Sequence, residues 1–146
     1  MSQPFDSIDQ AVQGRGRFEQ LGGYARVRRV GAMVYVAGTT AIESSGRLHA
    51  PNDTYAQTRF TLDRIAAALR EVGADIEHVV RTRAYLHDLG AAADFARAHG
   101  EVFASILPVT TAVQAGLTTP GMMVEIEVEA IVRDLLAADG RPEPTL

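Results

Sequence analysis

Cysteine and lysine are both missing from this chain of 146 residues. Without cysteine there is no disulfide framework, no thiolate nucleophile, no cysteine-ligated zinc site and no iron–sulfur cluster. Without lysine there is no Schiff-base chemistry on a side-chain amine and no covalently held pyridoxal phosphate. All 14 basic residues are arginines, permanently charged. Proton transfer is left to Glu, Asp, His, Tyr or the backbone. Long apolar runs are missing too: none approaches the roughly 20 residues of a membrane span. The opening MSQPFDSIDQ has neither the charged n-region nor the apolar h-region of an export signal. A cytoplasmic protein is the expectation, with no membrane partner. Excess positive charge is absent as well, since the net charge is -4. That argues against nucleic acid as the main partner, and the local cluster of Arg26, Arg28 and Arg29 reads as paired surface. His49, His78, His87 and His99 show no metal-ligand spacing, and each reads as a loop or helix-surface residue. No metal site is expected.

What is present is enough for one domain with a real core: 47% hydrophobic and 22% charged residues. Residues 1–16 are polar and glycine-containing and read as a flexible segment before a single domain over 17–134, with residues 135–146, rich in proline near the end, as a flexible tail. Short strands are expected over 18–21, 24–30 and 33–39, separated by Gly22-Gly23 and Gly31-Ala32. After a loop through Pro51, Asp53 or Asn52 is placed to cap a helix. Its stripe is Tyr55, Phe60, Leu62, Ile65, Ala66, Leu69 and Val72, and Gly73 stops it. Residues 79–86 return to extended structure and an alanine-rich helix follows over about 92–103. The order of elements indicates an α+β fold, with two helices on one face of a mixed sheet.

The segment with the most chemistry is PVTTAVQAGLTTPGMMVEIEVEAI, residues 108–131. From Val124 to Ile131 the residues alternate strictly, sending Val124, Ile126, Val128 and Ala130 to one face and Glu125, Glu127 and Glu129 to the other. Same-face neighbours lie roughly 7 Å apart, so each carboxylate needs water, a cation or a catalytic reason. Arg81, Arg83 and Tyr85 share a face of their own strand. If the two strands are neighbours, Arg81 and Arg83 can neutralise Glu127 and Glu129 across the ladder and leave Glu125, at the strand's beginning, less committed. The bland alternative is three solvated glutamates. Tyr24, after a Gly-Gly turn, reads on its own as a packing residue.

Three ordered segments, GGYARVRRVGAMVYVAGTT, QTRFTLDRIAAALREVGADIEHVVRTRAYLHD and the 108–131 stretch, resemble the RidA (YjgF) enamine/imine deaminase family over roughly residues 21–133. The resemblance implies a chorismate-mutase-like α+β subunit, assembled as a homotrimer with clefts between adjacent subunits. It also implies cofactor-free hydrolysis of short-lived enamines and imines to carbonyl compounds and ammonia. By position, Tyr24 matches a cleft tyrosine, Gly38 a backbone group facing substrate, and Glu125 a carboxylate that handles water. One position departs. Where archetypal members carry a substrate-gripping arginine, this chain reads Pro108-Val109-Thr110-Thr111, with Thr110 in the arginine's place.

A hydroxyl cannot replace the bidentate guanidinium fork, a difference of roughly 1.5–3 kcal/mol. That points away from a 2-aminoacrylate-like substrate and toward a divergent subfamily. The expected mechanism has Glu125 activating water as general base, Thr110, Thr111 and the Gly38 backbone orienting substrate, and Tyr24 walling the pocket. Two alternatives stand beside it: a relative performing cyclisation, tautomerisation or carbon–carbon cleavage in the same cleft, and a non-catalytic small-molecule-binding trimer. Some relatives have been assigned ribonuclease activity, yet this chain offers no histidine pair and no coherent basic groove for RNA.

Overall fold

The computed structural model describes residues 7–14 and 16–133. Six strands form one mixed sheet in the order β1-β2-β3-β6-β4-β5, with β4 and β5 parallel and every other neighbouring pair antiparallel. The strands are β1 (Asp9–Val12), β2 (Val27–Val30), β3 (Met33–Thr40), β4 (Val79–Leu86), β5 (Val109–Gln114) and β6 (Val124–Ile131). Helices α1 (Arg17–Gly22), α2 (Thr54–Glu71) and α3 (Ala92–Phe103) complete the fold. It is the α+β class read from the sequence, and β4 and α3 fall on the residues expected for them.

The N-terminal part departs from expectation in three ways. Residues 18–21, expected as a strand, lie in α1, which Gly23 ends at a φ of 70°. Here burial overrides the apolar pattern: Glu19 is 3% exposed and ion-paired, whereas Phe18 and Leu21 are 53% and 84% exposed. The strand expected over 24–30 begins only at Val27, because Tyr24 belongs to the turn that closes α1. Within the segment 1–16, expected to be flexible, residues 9–12 pair antiparallel with β2. The expected tail, 135–146, lies outside the described residues.

Helix α2 starts as read: the Asp53 carboxylate accepts from the Ala56 amide at 2.9 Å, and Gly73, at φ 79°, follows the end of the helix. Leu62, Ile65 and Leu69 are buried in a cluster with Val34 and Val36 of β3, Ala84 and Leu86 of β4, and Val124, Ile126 and Val128 of β6. Each such large aliphatic side chain contributes about 1.5–3 kcal/mol on burial. Helix α3 packs on α2 and adds Phe95 and Phe103 to the same core. Its His99, read as a surface residue, is only 9% exposed. The apolar moment of α3 leaves no other place for a residue four positions from both Phe95 and Phe103. With the core on the helical face, the charged face of the sheet is left for the site.

Candidate active site

The site is built on the open face of β6. The alternation holds: Val124, Ile126, Val128 and Ala130 are buried and Glu125, Glu127 and Glu129 are partly exposed on the other face. β4 is the neighbour, with Arg81 opposite Glu129, Arg83 opposite Glu127 and Tyr85 opposite Glu125. The contacts do not run straight across. Arg83 Nη1 reaches Glu129 Oε1 at 2.9 Å, and the Tyr85 hydroxyl donates to Glu127. Arg81 Nε stands 3.7 Å from Glu129 Oε2. The expected pairing of the two arginines with Glu127 and Glu129 is therefore corrected: both serve Glu129, and Glu127 is held by a tyrosine. Since Arg83 and Tyr85 each lean one pair along the ladder, Glu125 is passed over. Among the described residues none donates a hydrogen bond to its carboxylate.

Glu125 is half-buried, and desolvation pushes its carboxyl above the usual carboxylate range. The Arg26 charge opposes the rise and the neighbouring Glu127 charge adds to it. The hydrogen bond to Glu127 in turn holds the Tyr85 hydroxyl protonated above its ordinary range.

The floor beneath Glu125 comes from an irregularity in β3. Pairing with β6 shifts register between Val36 and Thr39, and Gly38 sits in that shift. A Cβ at this position would overlap Glu125 Oε1 and lie 3.1 Å from its Cδ, so only glycine lets the carboxylate rest against the strand. Two arginines brace the strand on either side. Arg26 Nη2 donates to the Gly38 carbonyl at 2.9 Å, and Arg64 Nη1 donates to the Thr40 carbonyl at 2.6 Å. Arg26 is itself paired with the buried Glu19 at 3.2 Å. Gln57, fully buried, fixes the approach to β6: its amide nitrogen donates to Ala50 and Gly121 carbonyls at 3.0 and 2.8 Å, and its oxygen accepts from the Met123 amide at 2.8 Å.

Gly38, Tyr85, Ala115, Gly116, Leu117, Glu125 and Glu127 line a cleft of about 270 Å³. Of the residues singled out in the sequence, Gly38 and Glu125 therefore meet. Tyr24 is 43% exposed at the end of α1 and does not line this cleft. Thr111 shares the open face with Arg83, its register partner, on edge strand β5. Thr110 points to the helical side, where its hydroxyl accepts from Thr82 at 2.7 Å. Sequence reasoning missed Tyr85 and Glu127 as cleft residues. The signal was available, since both stand on the charged faces that alternation defines; what was hidden was the diagonal lean. Among the described residues no group of three or more His, Asp or Glu side chains is disposed to hold a metal, and no helix is long and apolar enough to cross a membrane.

The family model described as Endoribonuclease L-PSP matches residues 15–132, which is most of the chain and all of the cleft. The chain belongs to the RidA/YjgF family. An uncharacterised protein of Streptomyces coelicolor is 38% identical over 120 residues, covering 82% of this chain and 89% of that protein. A RutC family protein of Pyrococcus abyssi is 29% identical over 110 residues, 75% of this chain and 87% of its own. Among solved structures, a YjgF-family protein of Mycobacterium tuberculosis superposes with a TM-score of 0.77 at 39% identity, covering 86% of this chain and 100% of that one. The chorismate-mutase-like fold implied by the RidA resemblance is thus the fold of this chain.

Proposed function

We propose that this RidA-family chain hydrolyses reactive enamines and imines to carbonyl compounds and ammonia without a cofactor, with Glu125 as the base that activates water. The observation that carries the reading is the state of Glu125: a carboxylate to which no described residue donates a hydrogen bond, half-buried at a cleft, its proton affinity raised by desolvation. A general base works best when its pKa approaches the working pH, and here burial moves it that way. Water held by Glu125 adds to the electrophilic carbon of the imine and gives its proton to the carboxylate. The carboxylate passes that proton to nitrogen, giving the neutral carbinolamine, and on collapse the hydroxyl proton follows by way of Glu125, so that the carbonyl forms and nitrogen leaves as ammonia. Tyr85, kept protonated, spends its one hydrogen on Glu127 at the rim of the same cleft and fixes that carboxylate beside Glu125.

The substrate-binding part of the reading involves a second copy. Within one protomer Thr110 faces the helical side while Glu125 faces the open side, so the two cannot grip one small molecule together. A homotrimer in which the β5 edge of one protomer approaches the Glu125 cleft of the next unites Thr110 and Thr111 with Gly38, Glu125 and Tyr24. Exposed apolar side chains are in the right places for such packing: Tyr35 and Met33 on the open face, and Leu107, Val109 and Val113 along the edge. Leu107, 79% exposed, also holds a φ of 55° just before β5, a strained backbone at that edge. A ribonuclease reading fits less well, because Glu125 and Glu127 in the cleft repel phosphate.

The test couples the protein to an amino-acid oxidase that generates imines in situ and follows keto-acid appearance across a panel of amino acids, with decarboxylated amines beside it. Wild type should accelerate hydrolysis for some members, and Glu125→Gln should lose the acceleration by about 100-fold or more. Thr110→Arg should shift preference toward carboxylated substrates. No acceleration by wild type anywhere, or full activity in Glu125→Gln, removes the deaminase reading and leaves a pathway-specific relative or a binding protein.

A further inference from the structure

A buried polar chain runs from the middle of α3 to the exposed edge of the sheet. His99 is wedged between two aromatic rings of its own helix, with centroids 5.4 Å away at Phe95 and 4.6 Å away at Phe103. Its Nε2 lies 2.9 Å from the hydroxyl of Thr82, which has no exposure at all. The Thr82 hydroxyl donates onward to Thr110 Oγ1 at 2.7 Å. Thr82 and Thr110 are register partners in the parallel pair of β4 and β5, so strand pairing holds the two hydroxyls together.

The direction of the chain follows from counting hydrogens. A hydroxyl has one. Thr82 commits its hydrogen to Thr110, so at the His99 contact Thr82 accepts and the histidine must carry its hydrogen on Nε2. Burial depresses the basicity of His99, which keeps the ring neutral with a single N–H to place. At the other end, Thr110 accepts from Thr82, and among the described residues its own hydrogen has no acceptor. Thr110 is exposed, so that hydrogen is available to a ligand.

We propose that His99 and Thr82 are positioning residues that set Thr110 as a polarised hydrogen-bond donor toward a carbonyl or carboxylate oxygen of the substrate. This rests on the reading above that Thr110 faces substrate at the position where the family's arginine stands. The pair is otherwise hard to account for. Valine and phenylalanine would fill the space beside Ala84, Leu86, Phe95 and Phe103 without burying any polar atom, whereas a threonine and a histidine do so only because they satisfy each other. The consequence at the far end is a donor of fixed polarity, strengthened by the two hydrogen bonds behind it. One neutral donor suits an acceptor oxygen without demanding the full negative charge that a guanidinium fork matches. That makes a neutral carbonyl as acceptable there as a carboxylate.

The experiment has three arms on the full-length protein. Nitrogen-15 NMR of histidine-labelled protein should show His99 as the Nε2–H tautomer, and the Nδ1–H tautomer overturns the proposal. In the coupled imine assay, Thr110→Val should raise KM about tenfold and Thr82→Val about two- to fivefold, with kcat little changed, as loss or weakening of one hydrogen bond implies. Thr82→Ser should restore the wild-type KM, and the double valine variant should be no worse than Thr110→Val alone. Effects that multiply, or a Thr82→Val variant indistinguishable from wild type, overturn the proposal while leaving the deaminase reading intact. The third arm titrates pyruvate, an oxygen-bearing probe and a product of the proposed chemistry, and follows the Thr110 amide resonance. If wild type turns over no imine but pyruvate binding still weakens in Thr110→Val and Thr82→Val, the deaminase reading fails and the donor chain stands. Pyruvate binding that ignores both substitutions overturns the donor chain.

Discussion

Alanine at position 38 separates the cleft's geometry from its stability. Gly38 is outside the set of residues with positive φ, so its backbone suits alanine and any cost comes from contact. The new Cβ would overlap Glu125 Oε1 and stand 3.1 Å from Cδ and 3.4 Å from Cγ of the same side chain. Only Glu125 is in the way, and it must swing off the strand. Overpacking of this kind costs about 1–2 kcal/mol here, at the lower end because a half-buried carboxylate regains water as it leaves. In a Glu125→Ala background those three atoms are gone. There Gly38→Ala should be neutral or stabilise by about 0.4–1 kcal/mol through a less flexible unfolded chain. The two backgrounds therefore differ by about 1–3 kcal/mol, a coupling that a double-mutant cycle resolves. The assay is guanidinium denaturation of the four proteins at one fixed protein concentration, since an assembly would make the midpoint concentration-dependent. Gly38→Ala should also lose the Glu125-dependent imine hydrolysis. An equal cost of Gly38→Ala in both backgrounds would refute the reasoning, because the Cβ would then be meeting something other than Glu125.

Glu125→Gln should raise the melting temperature by a few degrees at pH 7–8 even as it removes activity. A carboxyl whose folded pKa is raised binds its proton more tightly in the folded state, so its contribution favours folding at low pH and is lost as pH rises through the folded value. The difference between wild type and variant should shrink as pH falls toward the ordinary carboxyl value of 4.5, and a pH-independent difference would contradict the assignment. Arg29→Met should destabilise by about 2–4 kcal/mol. The buried Arg29 guanidinium donates to the Gly31 carbonyl at 2.8 Å and to the Val72 carbonyl at 2.7 Å, tying the end of α2 to β2. Chemical denaturation showing a loss below about 1 kcal/mol would mean that the arginine does not hold that helix end.

The parts of the fold that were legible in the sequence are those where one period dominates. β6 alternates without a break and β4 nearly so, while α2 carries a cap, a stripe and a stop, and the structure places them there. The beginning of the chain was illegible because its stabilising contacts are non-local. Asp9 to Val12 becomes a strand only because β2 offers an edge, and α1 closes around Glu19 because Arg26 waits for it. The apolar residues of α1 pointed the wrong way, since Phe18 and Leu21 stay exposed. At the site, the shared face of the glutamates and the neighbouring arginine strand could be read. The lean of Arg83 and Tyr85 by one pair could not, because twist and side-chain length decide it. Nor did local sequence reveal His99 as buried, as its polar partner Thr82 lies on another element.

Three chemically identical side chains on β6 acquire three different roles from their surroundings alone. Glu129 sits between two guanidiniums, so its oxygens are taken up by Arg81 and Arg83 and are not free to hold a water in the cleft. Glu127 accepts from Tyr85 and its negative charge acts on its neighbours, raising both the tyrosine and Glu125. Glu125 receives neither treatment, and the reason is positional: the β4 residue opposite it is Tyr85, which has already turned to Glu127. What Glu125 receives instead is a glycine that leaves it room against β3, an arginine near enough to moderate its charge without a hydrogen bond, and a cleft. Moving the base one pair along the strand would place it under the Tyr85 hydroxyl, and two pairs along would place it between the arginines. The choice of Glu125 among the three therefore follows from the diagonal contacts of β4 together with the register shift at Gly38.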